Sequence, residues 1–221
     1  HSMSPAAKLA QGTFADYDLI LADNFARSAK LNKLRQIIYL GGIIPEDLSL
    51  SRHLLSRLEV ERTLATSSIP VTSLRAGLIL GPQGSSFRIM YNLVKRLPVM
   101  ICPSWTATLS SPISIWDTVE CLMFCLGKEK LYHKKYDIGG KSTISYLEMM
   151  KVLGNKLGRN RLLMTVPFFS PELSKLWVTK VTGAPKDLVY PLIGSLKTHM
   201  VPNIDNKLPN FSHKMMSYSE A

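Results

Sequence analysis

Apolar positions in this chain follow two rhythms: compact runs that close on glycine or proline, and longer stretches in which they recur every three or four residues. The segment from Arg35 to Pro82 shows both. Ile37 and Ile38 lead a run that ends at Gly41 and Gly42, which predicts a strand from Gln36 to Leu40. A second run closes at Gly81 and Pro82 and predicts a strand from Val71 to Leu80. Between them, Leu54, Leu58 and Ala65 mark one face of a helix with Ser49 or Ser51 as its cap. Two buried strands joined by one crossing helix are most simply parallel neighbours in a helix-covered sheet. Such sheets bind ligands at the carboxyl ends of their strands, so Gly41, Gly42 and the segment after Arg75 are where chemistry is expected.

Ahead of this unit, Leu19, Ala22, Phe25, Ala26 and Ala29 recur at helical spacing. Acidic residues stand towards the start of that stretch and Lys30 and Lys33 at its end, as a helix dipole prefers, so a helix is predicted from Phe14 to Lys30. After Pro82, Ser85 or Ser86 opens a helix that runs through Leu97, where Pro98 stops it. The units then shorten. Strands are predicted at Val99–Cys102, Pro112–Ile115, Tyr136–Ile138 and Leu162–Val166. Helices are predicted at Trp116–Leu126, Ser145–Leu157, from Ser170 to about Val181, and at Lys186–Leu196. Residues 201–221 are polar and carry no assignment.

With 221 residues and 46% hydrophobic content, the chain can bury one large core, or one domain and a smaller lobe. Its net charge of +11 raises the question of nucleic acid, but Lys and Arg are scattered from Lys8 to Lys214 without a dense run or an aromatic-basic array. A solvated basic surface that steers anionic ligands is expected instead, with no nucleic-acid partner. Cys102, Cys121 and Cys125 form no disulfide framework and suit a reducing compartment. Cys121 and Cys125 lie one helical turn apart without further ligands nearby and read as packing residues, not a zinc site. No apolar run reaches the roughly 18 residues of a membrane span, and the start lacks the apolar core of a signal peptide. A cytoplasmic protein with no membrane partner is the expectation.

IIYLGG, HLLSRLEVE, VTSLRAGLILGP, SPISIWDTVE and YDIGG occur here in an order and spacing that resembles the atypical, extended branch of the short-chain dehydrogenase/reductases, the nucleoside-diphosphate-sugar-epimerase-like and NmrA-like proteins. The likeness continues through LGRNR, VPFFSPELSKLW and PLIGSLK and covers nearly the whole chain. It implies a Rossmann-like α/β fold, a parallel sheet with helices on both faces plus a small α/β substrate lobe. Residues 1–82 would form the later part of the NAD(P)-binding domain, and residues 83–221 a substrate-lobe region with interleaved Rossmann elements. The family's glycine-rich pyrophosphate turn has no counterpart in the chain. The sequence therefore reads as one lacking the amino-terminal half of the nucleotide-binding sheet, with HSM as the end of the family's fourth strand.

Active members of that family use a Tyr and a Lys four residues apart on the helix after the fifth strand. At that position this chain has His53 and Arg57, an i, i+4 pair on one helix face, which the resemblance makes candidate catalytic residues. Imidazole can replace the phenol as acid or base, while guanidinium can hold a ribose but cannot titrate. Contact with a ligand without catalysis, and a purely structural role in which Arg57 pairs with Glu61, remain open alternatives. The resemblance places the cofactor, NAD or NADP, against His1, Ser2, Met3, Gly41, Gly42, Arg57, Ala76, Gly77, Leu78 and Ile79. For the small Ala76 and Gly77, relief of crowding at a buried strand end is the competing explanation. Phe87, Trp105, Ile113 and Trp116 are candidate substrate contacts, with core packing as the rival, and Asp117 reads as a helix cap. The implied function is an NAD(P)-dependent oxidoreductase or epimerase acting on a small carbonyl or hydroxyl substrate. The alternative is a non-catalytic dinucleotide-binding redox sensor or assembly protein. A homodimer through helices 14–30 and 51–66 is a further implication of the likeness.

Overall fold

The computed structural model describes residues 14–45, 50–159, 161–166 and 171–221. The chain runs α1 (Phe14–Leu31), β1 (Ile37–Gly42), α2 (Arg52–Ala65), β2 (Val71–Ala76), β3 (Ile79–Leu80), α3 (Ser85–Arg96), β4 (Val99–Pro103), β5 (Leu109–Ser110) and β6 (Ile113–Ser114). It continues with α4 (Ile115–Cys125), β7 (Lys134–Ile138), β8 (Ile144–Ser145), α5 (Tyr146–Lys156), β9 (Leu162–Val166), α6 (Pro171–Thr182) and α7 (Lys186–Ser195). Local chemistry sets several of the helix starts. Ser51 accepts the Leu54 N–H at the head of α2, and Ser114 accepts the Asp117 N–H at the head of α4. Ser145 and Glu148 form a reciprocal capping box at the head of α5.

The centre is a parallel sheet in the order β1-β2-β7, with Gly41 opposite Arg75 and Arg75 opposite Asp137. Side chains alternate across it. Ile37, Tyr39 and Val71 pack on one face against Ala22, Ala26 and Ala29 of α1 and Val60 and Leu64 of α2. Leu74, Ala76, Tyr136 and Ile138 pack on the other against Cys121 and Cys125 of α4. A second core joins α3, α5, α6 and α7 through Leu93, Val94, Met149, Val178 and Val189. Each such fully buried aliphatic side chain contributes about 1.5–3 kcal/mol over its exposed state. The strands β4 and β9 pair in parallel at the margin of this core.

The expected strand from Val71 to Leu80 is two strands. The first stays in the central sheet, and after Gly77 and Leu78 the chain turns off to pair β3 with β6. The segment near Met200 packs closely on this turn: a Cβ on Gly77 would lie 3.0 Å from the Met200 carbonyl oxygen and 3.2 Å from Ser110 Oγ, so only glycine allows the approach. Met200 is bridged to Leu109 and Ser111 by backbone hydrogen bonds of 2.8 and 3.1 Å. Residues 201–221, unassigned from sequence, are pinned as an extended strap. The Asn203 N–H donates to Asp137, the Met216 N–H to Asp117, and the Tyr218 hydroxyl to the Met149 carbonyl.

Candidate functional site

Because β1, β2 and β7 are parallel, Gly42, Ala76 and Ile138 reach the same edge of the sheet. A cavity of about 150 Å³ opens beside the first two. Its sheet-side wall is Gly42, Ala76, Gly77 and Leu78, and His53 from the first turn of α2 stands beside them. The opposite wall comes from α3, α5, α6 and α7, including Leu93, Met150, Val178 and Ile193. Trp105 and Tyr146 also line it, with their rings 6.2 Å apart and nearly perpendicular. The Ser51 and Ser195 hydroxyls, 2.9 Å apart, tie the head of α2 to the end of α7 and fix where His53 begins its turn.

His53 is held neutral. Burial, reinforced by the Arg57 charge, pushes its imidazole down to about 4. Arg57 itself is turned to α1, where Nη1 lies 3.2 Å from Asp18 Oδ2, a carboxylate with no exposed surface. Ser56 donates to the same oxygen at 3.3 Å, and the Tyr39 hydroxyl donates to the Arg57 carbonyl at 3.1 Å. Glu61, the residue expected to pair with Arg57, is instead clamped by Arg75, through Nε at 2.9 Å and Nη2 at 2.6 Å. The i, i+4 spacing was right about one helix face but silent on which charges the neighbouring helix and strand would bring to it.

Of the residues expected to face a cofactor, the structure brings Gly42, Ala76, Gly77 and Leu78 together with His53. Arg57, Gly41 and Ile79 are not among the residues lining the cavity. Gly41 lies under the Tyr39 ring, where a Cβ would come within 2.7 Å of a ring carbon, and Ile79 pairs with Ile113 between strands. His1, Ser2, Met3 and the alternative cap Ser49 lie outside the described residues. Of the four candidate substrate contacts Trp105 lines the cavity and three are elsewhere: Phe87 packs on the second core beside Tyr91, Ile113 is fully buried beneath the sheet, and Trp116 is 71% exposed on α4. Asp117 is not the cap of α4. Ser114 is, and the buried Asp117 carboxylate accepts from His213 at 2.7 Å and from the Met216 N–H at 3.0 Å. Burial pushes the Cys121 and Cys125 thiols up to about 12 and 11, so both stay protonated in the core.

Sequence reasoning missed Tyr146, Ser195 and Met200. They come from two segments about fifty residues apart in the chain, and only tertiary packing brings them together. Burial pushes the Tyr146 phenol up to about 12, partly offset by Ser110, so it too keeps its proton. A larger cavity of about 430 Å³ is lined by Asp137 and Lys141, and by Lys207 and His213 of the strap, among others. No residue proposed from sequence as catalytic, cofactor-facing or substrate-facing lines it.

No family model and no curated protein matches the chain. Solved structures do. A new type of NADPH-dependent quinone oxidoreductase from Escherichia coli superimposes with a TM-score of 0.70 at 18% identity, over 90% of this chain and 70% of that one. The triphenylmethane reductase of Citrobacter sp., complexed with NADP(H), gives 0.71 at 15% identity over 97% and 72%. A nucleoside-diphosphate-sugar epimerase from Staphylococcus aureus gives 0.66 at 15% identity over 93% and 70%. Among the described residues no helix is long and apolar enough to cross a membrane. The parallel sheet, its covering helices and these superpositions together show that the chain has a Rossmann-like α/β fold.

Proposed function

We propose that this protein is an NAD(P)-dependent oxidoreductase of the atypical short-chain dehydrogenase/reductase type, acting at the cavity beside the carboxyl ends of β1 and β2. The observation that carries the reading is the convergence there of Gly42, Ala76, Gly77, Leu78 and His53. The fit to a nicotinamide is good on that wall: two glycines and an alanine present backbone and a single methyl group, so a flat ring can lie against them. A bound nicotinamide would supply or accept the hydride. The rest falls to the chain's own residues. Neutral His53 orients a substrate oxygen by a hydrogen bond. Arg57, committed to Asp18, acts on it only by holding the imidazole uncharged. Tyr146, which keeps its phenolic proton, is the second proton-bearing group on the wall.

Calorimetric titration with NADH and with NADPH tests this: saturable binding of either supports it, and binding of neither contradicts it. Replacing His53 by Ala should leave dinucleotide affinity unchanged and lower kcat/KM by about 10-fold, the loss of one orienting hydrogen bond.

A second reading, a non-catalytic dinucleotide sensor, is favoured by the same Arg57–Asp18 pair, since it removes the family's proton relay from the cavity. Dinucleotide binding without turnover on any carbonyl compound would select it. Leu19 and Ile20 on α1 and Leu55 on α2 are 41%, 55% and 44% exposed, which supports dimerisation through these two helices. A monomer in light scattering would count against that.

A further inference from the structure

The larger cavity holds a charge that the fold leaves incompletely met. Asp137, near the end of β7, lines it and is 7% exposed. Its Oδ2 accepts the Asn203 N–H at 3.0 Å, whereas its Oδ1 is buried with no hydrogen-bond partner. Arg75, opposite it in the sheet, is committed to Glu61. Burial pushes the Asp137 carboxyl up, and the Asn203 N–H, Arg75 and Asn206 pull it back. An acceptor left unmet in the interior is costly, so a donor is wanted from whatever fills the cavity. Two cations line the same space: Lys141 just after β7 and Lys207 in the strap, both exposed to solvent. His213 lines it too but is bound to Asp117. The Ser111 and Thr143 hydroxyls, 2.7 Å apart, add groups that can donate or accept, and Phe211 and Leu208 supply an apolar flank.

A simple anion would meet the two lysines but leave Asp137 Oδ1 bare and repelled, and a simple cation would meet Asp137 but oppose the lysines. A molecule with hydroxyls at one end and a dianion at the other meets both. We propose that this cavity is a binding site for a phosphorylated sugar, separate from the nicotinamide site: one sugar hydroxyl donates to Asp137 Oδ1, Lys141 and Lys207 hold the phosphate, and the C–H face of the ring lies against Phe211. The volume fits, since about 430 Å³ is almost three times the 150 Å³ of the smaller cavity and falls in the range of small-ligand pockets. Among the described residues none lines both cavities, so the two ligands do not exclude each other.

Calorimetric titration of the full chain with glucose 6-phosphate, glucose and inorganic phosphate tests this. Saturable binding of glucose 6-phosphate is expected, at least about 10-fold tighter than that of either fragment. The double variant Lys141→Gln, Lys207→Gln changes two exposed side chains and should weaken it by about 10-fold or more. Asp137→Asn keeps an acceptor for the Asn203 N–H but loses the charge that draws the hydroxyl, and should bring the affinity down to that of inorganic phosphate. Amide shifts of the wild-type chain at Asp137, Gly139 and Lys141 on adding glucose 6-phosphate locate the site without any variant. Inorganic phosphate binding as tightly as the sugar phosphate, full affinity in the double lysine variant, shifts confined to other residues, or no binding would each overturn the inference. So would displacement of glucose 6-phosphate by NADPH, which would give this cavity to the dinucleotide. Failure of the sugar phosphate to bind leaves the oxidoreductase reading standing, because that reading is decided by dinucleotide binding at the smaller cavity.

Discussion

The face of the sheet under α1 and α2 and the cavity at its carboxyl edge are neighbours, yet they use polar residues in opposite ways. Under the helices, the buried Asp18, Glu61 and Arg75 and the half-buried Arg57 are matched to one another as two ion pairs. At the edge the wall is aliphatic and aromatic, and its one imidazole is kept uncharged. Charge in this protein is thus spent on joining layers, while the site is left to shape and to a few neutral hydrogen-bonding groups. A residue's chemical type did not reveal which region it served: Arg57, four residues after His53, belongs to the first and His53 to the second.

The comparison is broken most severely by opening an ion pair. Glu61→Ala leaves the Arg75 guanidinium buried without its clamp and should cost about 3–5 kcal/mol in denaturant unfolding. Arg57→Ala removes the cation from the buried Asp18, which keeps the Ser56 hydroxyl, and should cost about 2–4 kcal/mol while leaving dinucleotide binding at the cavity intact. If Arg57→Ala instead abolished ligand binding at unchanged stability, the division between the two regions would be wrong.

A smaller effect belongs to the strap. His213→Ala removes a hydrogen bond to the buried Asp117 carboxylate and should destabilise by about 1–2 kcal/mol, with faster amide exchange at Met216.

His53 gives the cavity side a pH signature. Its folded value, about 4, lies below the ordinary 6.5, so the unfolded chain binds the extra proton first as pH falls. The stabilisation is complete above pH about 6.5 and declines towards pH about 4, by up to about 1.4 kcal/mol per pH unit, levelling off below. His53→Gln should flatten that part of the profile. An imidazole that titrates near 6.5 by NMR would show that the site is wetter than the structure makes it.

The smallest change is expected at the exposed Trp116, where substitution by Ser should move stability by no more than about 0.5 kcal/mol and leave dinucleotide affinity alone.

The fold was legible where periodicity is long and local. The stretches assigned to α1, α2, α3 and α5 fall on the observed helices to within a few residues, because each carries an apolar stripe and α2 and α5 carry a capping serine; α3 starts after Gly84 with Ser85 and Ser86 inside the helix, not as its side-chain cap. Two-residue strands such as β5 and β8 have no period to read, and they exist because Leu109 and Ser110 meet Ser145 and Ile144 in space. The break after Ala76 goes with the pairing of Ile79 and Leu80 to Ile113 and Ser114, more than thirty residues downstream, so the local run from Val71 to Leu80 gave no hint of it. The site divides in the same manner. Its sheet-side wall was readable from small residues at strand ends and Trp105 from its aromatic character, while Tyr146 and Ser195 carried no signal that set them apart from core residues.

The central claim is that a nicotinamide ring meets this chain at the edge where β1 and β2 end. Titrating NADPH into isotopically labelled protein and following backbone amide and imidazole resonances tests it most directly. The account expects saturable shifts at Gly42, His53, Ala76, Gly77 and Leu78, with Trp116 unmoved. Shifts gathered instead around Asp137, Lys141 and Lys207, or none at all, would contradict it.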